Sequence, residues 1–297
     1  MDVVGVNLTF QDGTTSQDSK TAAAMRAGLN AAYQAEADVL TSIGDRRRRA
    51  RAEVAVAKAA EDSDEGIDLR DSLIAIRRGL MEARQRPGQS DLAFDLVVHD
   101  GLTVISPPYD YGDHWMAPGS AATDESVGDP AGGLMEIAGE SGTGDPPLNS
   151  VAGVGFVLRS EKLGIVQVRP LITYEWNSST AANGALSHAE CEGGVELSAW
   201  RQRDGALVSA EGVRRVQLFR DAVSPGEGHD RHGDGTVIST DIQVELTAEP
   251  GEAYYINVGA WIYCDHTAGV TLAPTSYGYA KVSSHVQFVV TERFTSS

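Results

Sequence analysis

The sequence predicts an α+β protein in two parts. Residues 1–90 are expected to form an N-terminal helical hairpin for oligomerisation or docking. Residues 91–297 are expected to form an acidic antiparallel β-sandwich of jelly-roll or immunoglobulin-like type. Three observations predict this division. Apolar residues recur at helical spacing over 18–86, a stretch without proline. From residue 92 the apolar period switches to two. No further helical pattern of useful length follows, which favours sheets packed face to face over crossover units.

The helical part starts with Met25, Leu29, Ala32, Ala35, Val39, Leu40 and Ile43, which share one helix face. Asp18 or Ser19 can cap its start. Gly44 ends this helix, or it continues through Arg46–Arg49 to Ala60. An acidic connector, Glu61–Gly66, leads to a second helix with Ile67, Leu69, Leu73, Ile74, Ile76, Leu80 and Met81 as its apolar positions. Pro87 and Gly88 stop it, because proline lacks the N–H and clashes with the preceding turn.

The sheet part begins with Leu92, Phe94, Leu96 and Val98 on one face. His99-Asp100-Gly101 reads as a turn, with Leu102 to Ile105 as the returning arm of a hairpin. Residues 106–150 hold six of the eleven prolines and read as a long connecting loop. Strands follow around Val154–Leu158, Val166–Trp176, Val195–Trp200, Val213–Phe219, Ile238–Leu246, Tyr254–Cys264 and Ala280–Val290. Pro170 marks the second of these as an edge or a bulge.

Charge narrows the partners. The chain carries 24 Lys+Arg and 42 Asp+Glu, a formal net charge of −18. The excess lies in 91–297, with 28 acidic against 11 basic residues. Such a surface repels phosphate backbones and anionic lipid, so neither nucleic acid nor membrane insertion is expected. The Arg46–Arg49 run with Arg51 reads as a solvated helix face or a small docking patch. Cys191 and Cys264 are too far apart in sequence for a local metal motif; they either pair across the fold or remain thiols. The N-terminus lacks the basic and apolar regions of a secretory signal, and the apolar run 253–264 is too short to span a bilayer. A cytoplasmic or particle-associated protein is expected.

Three constellations are candidate sites. Tyr109, Asp110, Tyr111, Asp113, His114 and Trp115 combine rings with carboxylates, which suits glycan binding or a loop anchored by its own aromatics. His229, Asp230, His232 and Asp234, near Glu227, suit a divalent metal or a polar strand connection. Trp200, Tyr255, Trp261 and Tyr263 lie opposite the core side of their strands, so something must cover them: the helices, a neighbouring subunit or a ligand. No nucleophile elbow, phosphate loop or HExxH motif is present in the sequence.

The function expected is that of a non-enzymatic structural or interaction protein, a subunit of a multi-subunit assembly. Its partner would be another protein or a second copy, recognised by loops 106–150 and 224–235. A carbohydrate-binding module is the alternative. A metal-dependent hydrolase centred on His229, His232 and Asp234 is the second, with a divalent metal as its cofactor; no other cofactor is expected.

Overall fold

The computed structural model describes residues 7–10, six helical positions (27, 29–31, 33 and 34) and residues 97–296 except 185–186, 204–205, 239–240 and 268–274. The chain divides into two compact units, Met1–Ala37 with Val97–Ser297, and Asp38–Leu96; all described residues belong to the first.

Thirteen strands are found among the described residues, numbered here in chain order, and they form two antiparallel sheets. Sheet A places β1 (Asn7–Phe10), β3 (Tyr111–Met116), β6 (Leu148–Arg159), β12 (Ala253–Thr267), β8 (His188–Arg203) and β9 (Ala206–Val223) side by side in that order. Sheet B runs β10 (Glu227–Val237), β7 (Gly164–Asn183), β13 (Thr275–Ser296), β5 (Leu134–Gly142) and β4 (Thr123–Asp129). β11 (Val244–Ala248) follows β10 along the same side of β7, and β2 (Val97–Ile105) pairs with the end of β13. From β5 onward the chain crosses between sheets at every step except β8 to β9 and β10 to β11, giving β5-β13-β7-β10 in one and β6-β12-β8-β9 in the other. That is the strand order of a double-sheet jelly roll, two interlocked Greek keys.

Alternation explains the core. Val166, Val168 and Ile172 of β7, with Ala280, Val282 and Val286 of β13, meet Ile256, Val258 and Ile262 of β12 and Val195 and Leu197 of β8 in one buried cluster. Each such Val, Leu or Ile side chain contributes about 1.5–3 kcal/mol by leaving water.

The two-part α+β class is corrected. The described residues are nearly all strand, the helical ones lie between Ala27 and Gln34, and Asn7–Phe10 already form a strand of sheet A. Leu29 belongs to the apolar stripe read from the sequence, and it packs with Tyr33 against sheet A. The rest of 18–86 lies outside the described residues.

Three local expectations also change. β2 runs straight through His99-Asp100-Gly101: Arg293 opposes Gly101 and Phe294 opposes His99, so Asp100 is the extra residue of a β-bulge and not a turn. Residues 106–150 carry β3, β4, β5 and the start of β6 in place of a long loop. Residues 227–235 are strand β10 and not a loop. Pro170 falls in the gap between β10, which ends opposite Ile172, and β11, which starts opposite Val168. A residue without an N–H therefore costs no bond on that side of β7.

Candidate functional site

The outer faces of the two sheets differ. On sheet A that face carries Tyr111, Trp115, Val151, Tyr255, Trp261 and Tyr263, which form a second buried cluster with Leu29 and Tyr33. Tyr33 drops its hydroxyl between two strands, donating to Asp113 Oδ2 at 2.9 Å. With its amide nitrogen turned toward Asp113, Asn257 donates to Asp113 Oδ1 at 2.9 Å, and its oxygen then lies 2.7 Å from the Tyr33 hydroxyl. Gly153 makes the space, since a Cβ there would lie 2.7 Å from Asp113 Oδ1. Burial pushes the Asp113 carboxyl up to about 7; the Tyr33 hydrogen bond opposes the rise and the Glu196 charge adds to it. Burial first, then the Asp113 charge, raises the Tyr33 hydroxyl well above its ordinary range.

The same face continues onto β8 with Glu190, Glu192 and Glu196, all nearly fully buried. Arg215 reaches across from β9, donating from Nε and Nη2 to Glu196 Oε2 at 2.8 and 2.7 Å. Its guanidinium also stacks over Trp261 at 5.0 Å. Arg220 meets Glu190 at 3.1 Å.

The first sequence constellation therefore becomes structural framework. Tyr109 sits in the intersheet core, Tyr111 donates to Ile256 O at 3.0 Å, and Trp115 donates from Nε1 to Asn30 Oδ1 at 2.8 Å. His114 is half-buried, and burial lowers its pKa. Asp110 alone is exposed, and it accepts from Val157 N at 2.7 Å. These rings are closed to a sugar face. Tyr255, Trp261 and Tyr263 are likewise buried, while Trp200 is half-buried and packs against the same cluster.

Sheet B presents an open, polar outer face. Its strand register aligns Asp234, Glu175 and Ser283 with Glu136 in one row, and His232, Asn177 and Lys281 in the next. Together they line a groove of about 360 Å³. Lys281 bridges Glu125 at 2.7 Å and Glu136 at 2.5 Å, and hydrogen bonds to those two carboxylates raise its pKa. Tyr277, 39% exposed, lies on the same face two outward positions along β13 from Lys281, with its hydroxyl 3.0 Å from Ser179 Oγ.

The histidine cluster is divided by its strand. His232, Asp230 and Asp234 alternate onto the outer face, whereas His229 points the other way and bonds Asp221 Oδ1 through Nδ1 at 2.9 Å. The two imidazoles cannot meet at one ion. Among the described residues no group of three His, Cys, Asp or Glu side chains converges to hold a metal.

A further feature lies at the margin of sheet B. Among the described residues β2 pairs with β13 alone, so its other edge is open. It exposes Leu102 by 56% and Val104 by 57%. Sequence reading placed these two in a hairpin, and so missed them as an edge. Nor does sequence reading bring together Glu175, Glu136 and Lys281, which come from three different strands.

No family model matches the chain, and no curated protein does. Among solved structures, one of infectious bursal disease virus, Gx strain, matches at 7% identity and TM-score 0.23, over 70% of this chain and 41% of that one. An isomalto-dextranase of Arthrobacter globiformis T6, complexed with panose, matches at 13% identity and TM-score 0.20, over 61% and 23%. A CBM61 module in complex with β-1,4-galactotriose matches at 11% identity and TM-score 0.13, over 66% and 86%. The chain thus spans less than half the length of the first two. At these scores the likenesses carry no argument about function. Among the described residues, no helix is long and apolar enough to cross a membrane.

Proposed function

We propose that the protein is a non-enzymatic structural component that works by association, with the open edge of β2 as the contact between two copies. The observation that supports this reading is the β2 edge, unpaired among the described residues past its bulge at Asp100, with Leu102 and Val104 exposed on that stretch. Soluble proteins ordinarily blunt such an edge with lysine, proline or a covering segment, because its unpaired N–H and C=O groups invite another strand. Two copies related by a two-fold axis can lay β2 antiparallel against β2 and continue sheet B across the interface. Each copy then satisfies the other's backbone and covers its exposed Leu and Val.

Sedimentation equilibrium tests this directly. The expected species has twice the 31.5 kDa mass of the chain. Replacing both Leu102 and Val104 by Lys should give monomer with an unchanged far-ultraviolet dichroism spectrum. A wild-type protein that stays monomeric at concentrations of about 100 µM, where even weak contacts between partners show, would end the reading.

The sheet B groove favours a second reading, binding of a hydroxyl-rich ligand such as a glycan. Glu136, Glu175 and Asp234 offer acceptors, and Asn177 and Lys281 donors, with the partly exposed ring of Tyr277 two outward positions along β13 from Lys281. A glycan array should then give hits that weaken on the order of tenfold in Glu175→Ala, the loss of roughly one charged hydrogen bond. An array without hits removes it.

A further inference from the structure

The chain has two cysteines, and the fold brings them face to face. In the β8–β12 ladder Cys191 pairs directly with Cys264. Residues directly opposed in an antiparallel pair hold their Cα atoms about 4.5–5.5 Å apart, within the roughly 4.4–6.8 Å that a disulfide spans. Both side chains enter the intersheet core, both are 0% exposed, and their sulfurs lie 3.0 Å apart. The facing sheet leaves room for sulfur and little else: a Cβ on Gly278 of β13 would lie 2.5 Å from Cys191 Sγ. Burial first, then Cys264, Asp221 and Glu190, holds the Cys191 thiol well above its ordinary pKa, which is the opposite of what a nucleophilic or metal-binding thiolate requires.

We propose that Cys191 and Cys264 form an intrachain disulfide that staples β8 to β12. The oxidant is a small disulfide of the glutathione class. One cysteine thiolate attacks it, forming a mixed disulfide and releasing one reagent thiolate. The second cysteine thiolate attacks the protein sulfur of that mixed disulfide, forming the Cys191–Cys264 bond and expelling the second reagent thiolate. The two cysteine protons end on the two reagent thiols, and the protein gives up two electrons. Because the folded sulfurs are shut from solvent, the exchange occurs while the chain folds. The staple closes the segment holding β9, β10 and β11, and so restricts the unfolded chain.

The test refolds the full chain in a glutathione redox buffer. Intact mass should show the loss of two hydrogens, and a non-reducing peptide map should show one species containing both cysteines. Reduction should lower the thermal midpoint by about 5–15 °C, given the long loop closed and the size of the protein. Two alkylatable thiols in denaturant after oxidative refolding, or glutathione adducts on either cysteine, would overturn the proposal. So would the same thermal midpoint for chain refolded with oxidised glutathione and chain refolded in reductant.

Discussion

Asp113 shows what burial does to a carboxyl group that lacks a full countercharge. Tyr33 and Asn257 hydrogen-bond it, but neither is a cation. Its folded pKa of about 7 lies above the ordinary 3.8, so the folded chain binds this proton more tightly than the unfolded one. The stability tied to the neutral acid is therefore complete below about pH 4 and lost as pH rises through 7. Asp113→Asn keeps a neutral group there. Relative to that variant, the wild type should lose as much as about 4 kcal/mol between pH 4 and 8, at 1.36 kcal/mol per pKa unit. Urea unfolding of both proteins across that range measures it, and parallel curves would contradict it. Glu196 is the reverse case, a buried carboxylate that does have a cation. Removing that cation in Arg215→Ala should cost about 3–5 kcal/mol, because Glu196 stays buried and uncompensated. The double replacement Glu196→Leu with Arg215→Met should recover most of the loss in the same unfolding experiment.

Strand β12 illustrates why one layer of sandwich was not the whole story. Its core face could be read directly from Tyr254, Ile256, Val258, Ala260, Ile262 and Cys264. Its opposite face carries Tyr255, Trp261 and Tyr263, and these are as well buried as the core. Leu29 and Tyr33, four residues apart and so on one helical face, belong to the cover. Leu29→Ala should cost about 2–5 kcal/mol, a typical large-to-small loss at a buried site. Tryptophan emission should shift to the red as Trp115 and Trp261 lose shielding; unchanged emission and stability would remove the helix from that role. The alternation of β12, β7 and β13 was legible because period two is a local signal. The need to cover the β12 aromatics was legible for the same reason. Strand order was not, because β13 finds β7 and β5 through contacts far apart in sequence. Nor was the fate of 109–115 or 227–235. Proline, glycine and mixed charge mark loops on average, yet pairing with β6 and β7 drew both segments into sheets.

Association has to overcome the protein's own field. The chain carries −18, and its open sheet B face shows Asp230, Asp234, Glu175, Glu136, Glu140 and Glu292, with Lys281 and Arg169 among its cations. Pairing β2 with β2 brings two such faces into one continuous sheet, so like charges approach as Leu102 and Val104 are covered. Apolar burial and backbone pairing then favour the dimer while Coulomb repulsion opposes it. Salt screens the second and leaves the first nearly intact, since the Debye length shortens from about 20 Å at 20 mM to about 6 Å at 300 mM. The dimer dissociation constant should therefore fall, by roughly tenfold, over that range of sodium chloride. Sedimentation equilibrium at the two concentrations reads it out. A constant that rises with salt would mean that opposite charges, and not the β2 edge, hold the copies together.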